Sequence, residues 1–270
     1  MRLSIDHRTL YRFSTPQTRL VQMLRMTPSD THDQTIASWR IDIDCDARLK
    51  NAQDGFGNKV TMLYAEGPIS EIEICVAGEV LTAPSAGVID GSVERFPPYL
   101  FLRPTPLTLA DPALTAFALD ATSGSPALDR LHALNRAVFD RFTVCHRRPV
   151  QGRSAAEAFA ETLVPARDLA HIFIACARAV GAPARYVSGY SLRIGGDAQK
   201  PTPHGWAEAH VEGLGWVAFD PSTGVCATQD YVRVSIGLDA AGAAPVAGSR
   251  LGEGNEELDV DISIDAIAEG

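Results

Sequence analysis

From Arg2 to about Thr82, apolar and polar residues alternate with a period of two, interrupted by turn residues. Arg40-Ile41-Asp42-Ile43-Asp44 alternates strictly, and Val60-Thr61-Met62-Leu63-Tyr64 and Glu71-Ile72-Glu73-Ile74-Cys75-Val76 are rich in residues that suit a pleated, half-buried surface. Between them, Asp54-Gly55-Phe56-Gly57-Asn58 is a dense turn signal and reads as a hairpin turn. An antiparallel β module is expected over residues 1–105. Pro84, Pro97, Pro98, Pro104, Pro106 and Pro112 then break both periods, which places the module boundary in that stretch.

Beyond it the period lengthens. Ser125-Pro126 reads as an N-cap followed by the first helical position, and Leu128, Leu131, Leu134, Val138 and Phe142 fall on one helical face. Ser154-Ala155-Ala156-Glu157 is a capping box opening a short helix. Leu169, Ile172, Phe173, Cys176 and Val180 form a third apolar stripe, closed by Gly181, and predict a buried helix. Strands are expected at residues 184–190, 205–211 and 216–220, the last two joined as a hairpin by Gly213-Leu214-Gly215. Helices packed on an antiparallel sheet over residues 106–230 make the whole an α+β fold. A C-terminal extension, 231–270, ends in an alternating strand from Glu257 to Asp265 that joins one of the sheets.

Composition narrows the function classes. With 46% apolar and 21% charged residues the chain can close a core. No run approaches the ~20 apolar residues of a membrane helix. Met1-Arg2-Leu3-Ser4-Ile5-Asp6-His7-Arg8 is charged early and lacks the apolar stretch of an export signal, so a cytoplasmic location is expected. A net charge of −9, with no basic cluster longer than His146-Arg147-Arg148, argues against nucleic-acid binding. The five cysteines are odd in number, and none forms a C-x-x-C pair, which argues against a disulfide framework or a zinc knuckle.

A buried helix, a strand opening on His204 and a returning strand ending on Asp220 have the chain order of papain-like thiol enzymes. Four segments carry a closer likeness: Asp168-Leu169-Ala170-His171-Ile172-Phe173, the run from Gly181 to Tyr190, His204-Gly205-Trp206-Ala207-Glu208, and Gly213 to Pro221. Together they resemble the bacterial transglutaminase-like family, within the transglutaminase-like and cysteine-protease-like superfamily. Tyr11-Arg12-Phe13, Leu24-Arg25-Met26-Thr27-Pro28 and Asp54-Gly55-Phe56-Gly57-Asn58 are similar to that family's N-terminal β module, and Val232 to Asp239 continues the likeness. The resemblance implies a nucleophilic cysteine at the first turn of the buried helix, where helix-end N–H groups stabilise a thiolate. It assigns His204 as the base, Asp220 as the group that orients it, and Trp206 and Glu208 as the flanking strand.

At the nucleophile position the segment reads Val164-Pro165-Ala166-Arg167-Asp168, with Ala166 where sulfur is required. Loss of such a nucleophile removes roughly six orders of magnitude of rate. The other thiols are far from that position in the chain. Cys176 lies about 15 Å along the same helix, while Cys145 and Cys226 need the fold to bring them to Ala166; Ser222 and Thr223 are weaker candidates. A metal is not expected: His204, Trp206, Glu208 and His210 share a strand face, but alternate positions spread over ~13 Å and the two histidines over ~20 Å. His171, one turn beyond Ala166, lacks a third ligand. No cofactor is implied. Arg167 can pair with Asp220 or Glu208 or face water, and Asp168 suits the helix start.

The expected function is non-catalytic, a pseudoenzyme with a degenerate triad. In it a groove at His204, Asp220 and Ala166, supported by Asp168, His171, Trp206 and Glu208, binds a peptide or an amide-bearing partner. The family setting suggests an active paralogue or an ATP-dependent ligase as neighbour. A working amidohydrolase, protease or acyltransferase with another nucleophile or a metal is the alternative, and the His204–Asp220 pair could also serve only to support the sheet.

Overall fold

The computed structural model describes residues 1–123, 126–145, 149–192 and 203–267. Unbroken alternation produces two very long strands, β1 (Arg2–Thr27) and β4 (Lys59–Thr82), paired antiparallel, with β2 (Gln34–Ile43) and β3 (Ala47–Gln53) between them in the chain. Register shifts between Arg12 and Arg19 divide the β1–β4 ribbon into two halves, and β2 and β3 each pair with a different half of β4. Tyr11, Leu20, Leu24, Leu63, Ile72 and Ile74 share one buried apolar cluster of this module.

The proline-rich stretch holds more order than its sequence predicts. It contains β5 (Val88–Ile89) and a 3₁₀ turn, Pro98–Leu102, that buries Phe101. Helix α1 (Pro112–Ala121) follows, with Pro112 at its first turn and the Asp111 carboxylate accepting from the Leu114 N–H at 2.8 Å. Pro112 is thus a helix start rather than linker punctuation, because its fixed φ suits N1 and its missing N–H costs nothing there. Helix α2 (Ala127–Arg141) has Pro126 as its N-cap rather than as its first helical residue, so it begins one residue later than its sequence predicts; Ser125 lies outside the described residues.

Next come β6 (Thr143–Val144), α3 (Ala155–Phe159), β7 (Leu163–Val164) and α4 (Ala166–Ala179). The capping box forms: the Glu157 N–H donates to Ser154 Oγ at 3.3 Å and the Ser154 N–H to Glu157 Oε2 at 2.8 Å. Helix α4 ends at Gly181, φ +82°, where the Gly181 N–H meets the Arg178 carbonyl and the Ala182 N–H meets that of Ala177. That paired closure needs a left-handed residue. In the last turn the buried Arg178 guanidinium donates to the carbonyls of Phe101, Ala184 and Leu238 and to Thr108 Oγ1, tying three loops to the helix. Burial pulls its pKa down to about 10.

The second sheet has the order β11-β10-β9-β8-β12, built from β8 (Ala184–Ser191), β9 (His204–Val211), β10 (Gly215–Asp220), β11 (Val225–Cys226) and β12 (Tyr231–Gly237). Ala207, Ala209, Val217 and Phe219 share a cluster with Leu169, Ile172 and Phe173 of α4, whereas Val187, Trp206, Trp216 and Tyr231 pack together with Phe101 in another. Covered on both faces, β8 is buried throughout.

The tail divides. Residues 231–237, grouped with the C-terminal extension by their sequence pattern, form β12 at the edge of the second sheet beside β8. Only β13 (Val246–Leu251) and β14 (Glu256–Ile267) return to the β module, each pairing with a different half of β1. Two side-chain amides from the module hold β12 at its edge. Asn58 donates to the Ile236 carbonyl and accepts the Ile236 N–H, both at 2.8 Å, and Gln34 does the same for Arg233 at 2.9 and 2.8 Å. The Asp54–Asn58 turn therefore seals one module to the other.

Candidate functional site

The β9–β10 hairpin carries the first residue of one strand to the last residue of the other. His204 Nε2 lies 2.7 Å from Asp220 Oδ2. The Tyr231 hydroxyl donates to the same oxygen at 2.8 Å, and Oδ1 accepts from the Ser222 N–H at 2.9 Å and the Ser222 hydroxyl at 2.7 Å. Asp220 is 0% exposed. Burial alone would raise its pKa, but the His204 charge and the hydrogen bonds of His204, Ser222 and Tyr231 outweigh it and hold the carboxyl below its ordinary range. An ionised carboxylate only accepts, so Nε2 carries the proton and Nδ1 is the basic nitrogen of the neutral ring.

Aromatic rings fix the imidazole from the sides. Trp206 stacks on His204 with centroids 5.9 Å apart and planes 25° from parallel, and Tyr231 lies 5.9 Å away, tilted. Gly205 between them is dictated by space: a Cβ there would stand 1.7 Å from the Tyr186 hydroxyl oxygen. Sequence reasoning missed Tyr231, which sits beyond the hairpin in a strand whose spacing from Asp220 carries no motif. Ser222, weighed as a nucleophile, instead serves Asp220.

Glu208 does not face a groove. It is 0% exposed, with Oε2 taking Arg185 Nε and Oε1 taking Arg233 Nε, both at 2.6 Å. Arg185 also grips Glu94 at 2.6 and 3.0 Å and lies 3.8 Å over the Trp216 ring. Burial pushes the Glu208 pKa up, and the two guanidiniums overcome it and bring it to about 2. Its duty is to anchor the strand that begins with His204.

Ala166 is the first residue of α4, after Pro165, and is half-buried. Arg167 pairs with Asp168, Nε to Oδ1 at 2.8 Å, and donates to the Val150 carbonyl at 2.6 Å, rather than reaching Asp220 or Glu208. Burial raises the Asp168 pKa in spite of Arg167. His171 packs on Tyr186 with centroids 5.4 Å apart, and its Nε2 accepts the Ala240 N–H at 3.0 Å, so that lone pair is not offered to a metal. Burial brings its pKa down to about 3.

The thiols are distributed differently from one another. Cys176 is buried under α1, its Sγ 3.6 Å from the Leu114 carbonyl, and burial pushes its pKa up to about 12. Cys226 pairs across from Phe219 and is raised to about 11 by burial. Cys145 is another case. The parallel β6–β7 ladder hydrogen-bonds its N–H to the Val164 carbonyl at 3.0 Å, beside the residues that lead into Ala166. Among the described residues no helix is long and apolar enough to cross a membrane.

Residues 3–81 match the family described as the bacterial transglutaminase-like N-terminal region, and residues 115–221 match the transglutaminase-like superfamily. An uncharacterized protein of Mycobacterium leprae is 25% identical over 281 residues, covering 99% of each chain. An uncharacterized protein of Mycobacterium tuberculosis H37Rv is 25% identical over 291 residues, covering 98% of this chain and 92% of its own. A crystal structure from Cytophaga hutchinsonii, named "putative cysteine protease", superposes with a TM-score of 0.80 at 19% identity, covering 100% of this chain and 92% of that one, and so shares the fold. The β module and the helix-on-sheet core coincide with these two matches: the chain carries a bacterial transglutaminase-like N-terminal region followed by a core of the transglutaminase-like superfamily.

Proposed function

We propose that this protein keeps the transglutaminase-like apparatus without its thiol chemistry, and uses the groove over Ala166 to bind a peptide or an amide-bearing partner. One observation carries the reading: a methyl group stands at the first residue of α4 while His204 Nε2 and Tyr231 remain hydrogen-bonded to Asp220. A hydrocarbon side chain cannot attack a carbonyl, so the assembled base has no proton to take from it. The natural partner is a peptide-bearing protein, with an active paralogue or an ATP-dependent ligase as candidates by analogy with the family.

Ammonia release from glutaminyl and asparaginyl peptides tests this, comparing the native chain with Ala166→Cys. The native chain is expected at background, and the variant to gain turnover and a single iodoacetamide-reactive groove thiol. Turnover by the native chain would overturn the proposal. A second reading, an active thiol enzyme, is favoured only by the backbone bond that sets Cys145 beside Val164. Native turnover abolished by Cys145→Ser would establish it.

A further inference from the structure

The sheets of the β module end in four edges. Among the described residues, β2 and β3 have only β4 as a strand neighbour, and β13 and β14 have only β1. A bare edge is a template for another strand, and charge is one of the usual means of blunting it. On two of the edges the charges are settled within the chain. Arg40 of β2 pairs with Asp42 of its own strand at 3.0 Å, and Arg250 of β13 donates to Gln17 Oε1 at 3.0 Å and to the Gly254 carbonyl at 2.7 Å.

The other two edges keep charges of opposite sign. In β14, Val260, Ile262 and Ile264 turn toward the apolar cluster beneath the sheet, and Glu257, Asp259, Asp261 and Asp265 form the outward row. The arginines in register with Glu257 and Asp261 are Arg12 and Arg8, and these pair instead with Glu71 and Glu73 of β4. In β3, Arg48 and Lys50 share one face, Arg48 lying 5.1 Å over the Tyr64 ring, and no carboxylate among the described residues pairs with either cation. Both edges also leave apolar surface uncovered. Leu49 of β3 stands opposite the fully buried Leu63 yet is 42% exposed, and Val260 and Ile264 of β14 are only half-buried.

Like charges oppose self-pairing: two β14 edges set acids against acids, and two β3 edges set cations against cations. A β3 edge against a β14 edge sets cations against acids on one face, both rows having the two-residue spacing of a strand, and brings Leu49 toward the apolar row on the other. We propose that β3 of one copy pairs edge to edge with β14 of a second copy, so that main-chain hydrogen bonds join their sheets and the charges choose the partner. Within one chain β3 lies on the β4 side of the ribbon and β14 on the β1 side. The contact is therefore head to tail, and each added copy brings a further edge for the next.

Sedimentation equilibrium of the full chain tests this. The average mass of the native protein should rise above that of one chain with concentration, over roughly the micromolar-to-millimolar range. The double variant Arg48→Glu/Lys50→Glu makes both edges acidic, and Glu257→Lys/Asp261→Lys makes both basic, so each alone should stay monomeric throughout that range. Mixed in equal amounts they should assemble, because every acidic edge again meets a basic one. The chain carrying all four substitutions should assemble by itself, which also shows that the changes spare the fold. A native chain that stays monomeric, a double variant that assembles alone, or a mixture and a fourfold variant that both stay monomeric would overturn the proposal.

Discussion

Asp220 receives four hydrogen bonds, from His204, the Ser222 amide and hydroxyl, and Tyr231, so its charge is matched before any ligand arrives. Glu208 meets the same requirement by another route, between two guanidiniums. Removing one member of a buried, paired set costs far more than the pair contributes, because the remaining charges are stranded. Glu208→Gln is expected to lower unfolding stability by about 3–5 kcal/mol in urea titrations. Adding Arg233→Met should cost less than the sum of the single changes, since it removes one stranded charge. Strict additivity would show that the cluster is not coupled. Such differences also mark how far single residues could be read from sequence. His204, Trp206 and Asp220 stood in a motif with fixed spacing, and the structure brings them together. Glu208 shared their strand face, yet alternation says only which side a residue takes. It does not reveal that Arg185 waits there from the adjacent strand β8 and Arg233 from β12 beyond it. Tyr231 had no local signal, since only the pairing of β12 with β8 delivers it to Asp220.

Elements with local chemistry were legible and those defined by distant pairing were not. The capping box of α3, the Gly181 closure of α4 and the glycine hairpin between β9 and β10 each draw their geometry from a few consecutive residues. Helix α1 had such a signal in Asp111-Pro112, obscured by the prolines before it. The placement of β12 in the second sheet depends on partners far along the chain, so its sequence could not separate it from the tail. The Asp54–Asn58 turn shows the same limit: its turn character was plain, while its docking on Ile236 was invisible. Asn58 is buried and replaces a missing strand for both backbone groups of Ile236. Asn58→Ala leaves an amide N–H and a carbonyl unpaired, and should lower stability by roughly 2–4 kcal/mol. A loss well under 1 kcal/mol would mean that water reaches Ile236 and that the turn does not seal the junction.

On the scale of the whole molecule, two buried histidines set the response to acid. His7 sits where the β module meets the core, with Nδ1 2.9 Å from the Tyr190 hydroxyl and Nε2 3.0 Å from Thr9 Oγ1, and burial lowers its pKa to about 4. His171 lies under α4 and is lowered to about 3 by burial. Both pKa values are depressed on folding, so below about pH 6.5 the unfolded chain takes up protons that the folded chain refuses. The stability these residues carry is complete above pH 6.5 and is lost as pH falls toward 4 for His7 and toward 3 for His171. Glu208 and Asp220 act in the same direction lower down: their carboxyls are depressed in the fold, so their contribution fades below the ordinary carboxylate range. Asp168, raised by burial, opposes the trend weakly, because the folded chain holds its proton to higher pH. The net expectation is a urea midpoint that is level above pH 7 and falls on acidification, each histidine accounting for about 2–3 kcal/mol by pH 4.5. His7→Gln removes one of the two titrations and should flatten the fall by about half, whatever its effect at pH 7. A midpoint unchanged between pH 7 and 4.5, or a slope indifferent to His7→Gln, would mean that water reaches His7 and that the junction between module and core opens in solution.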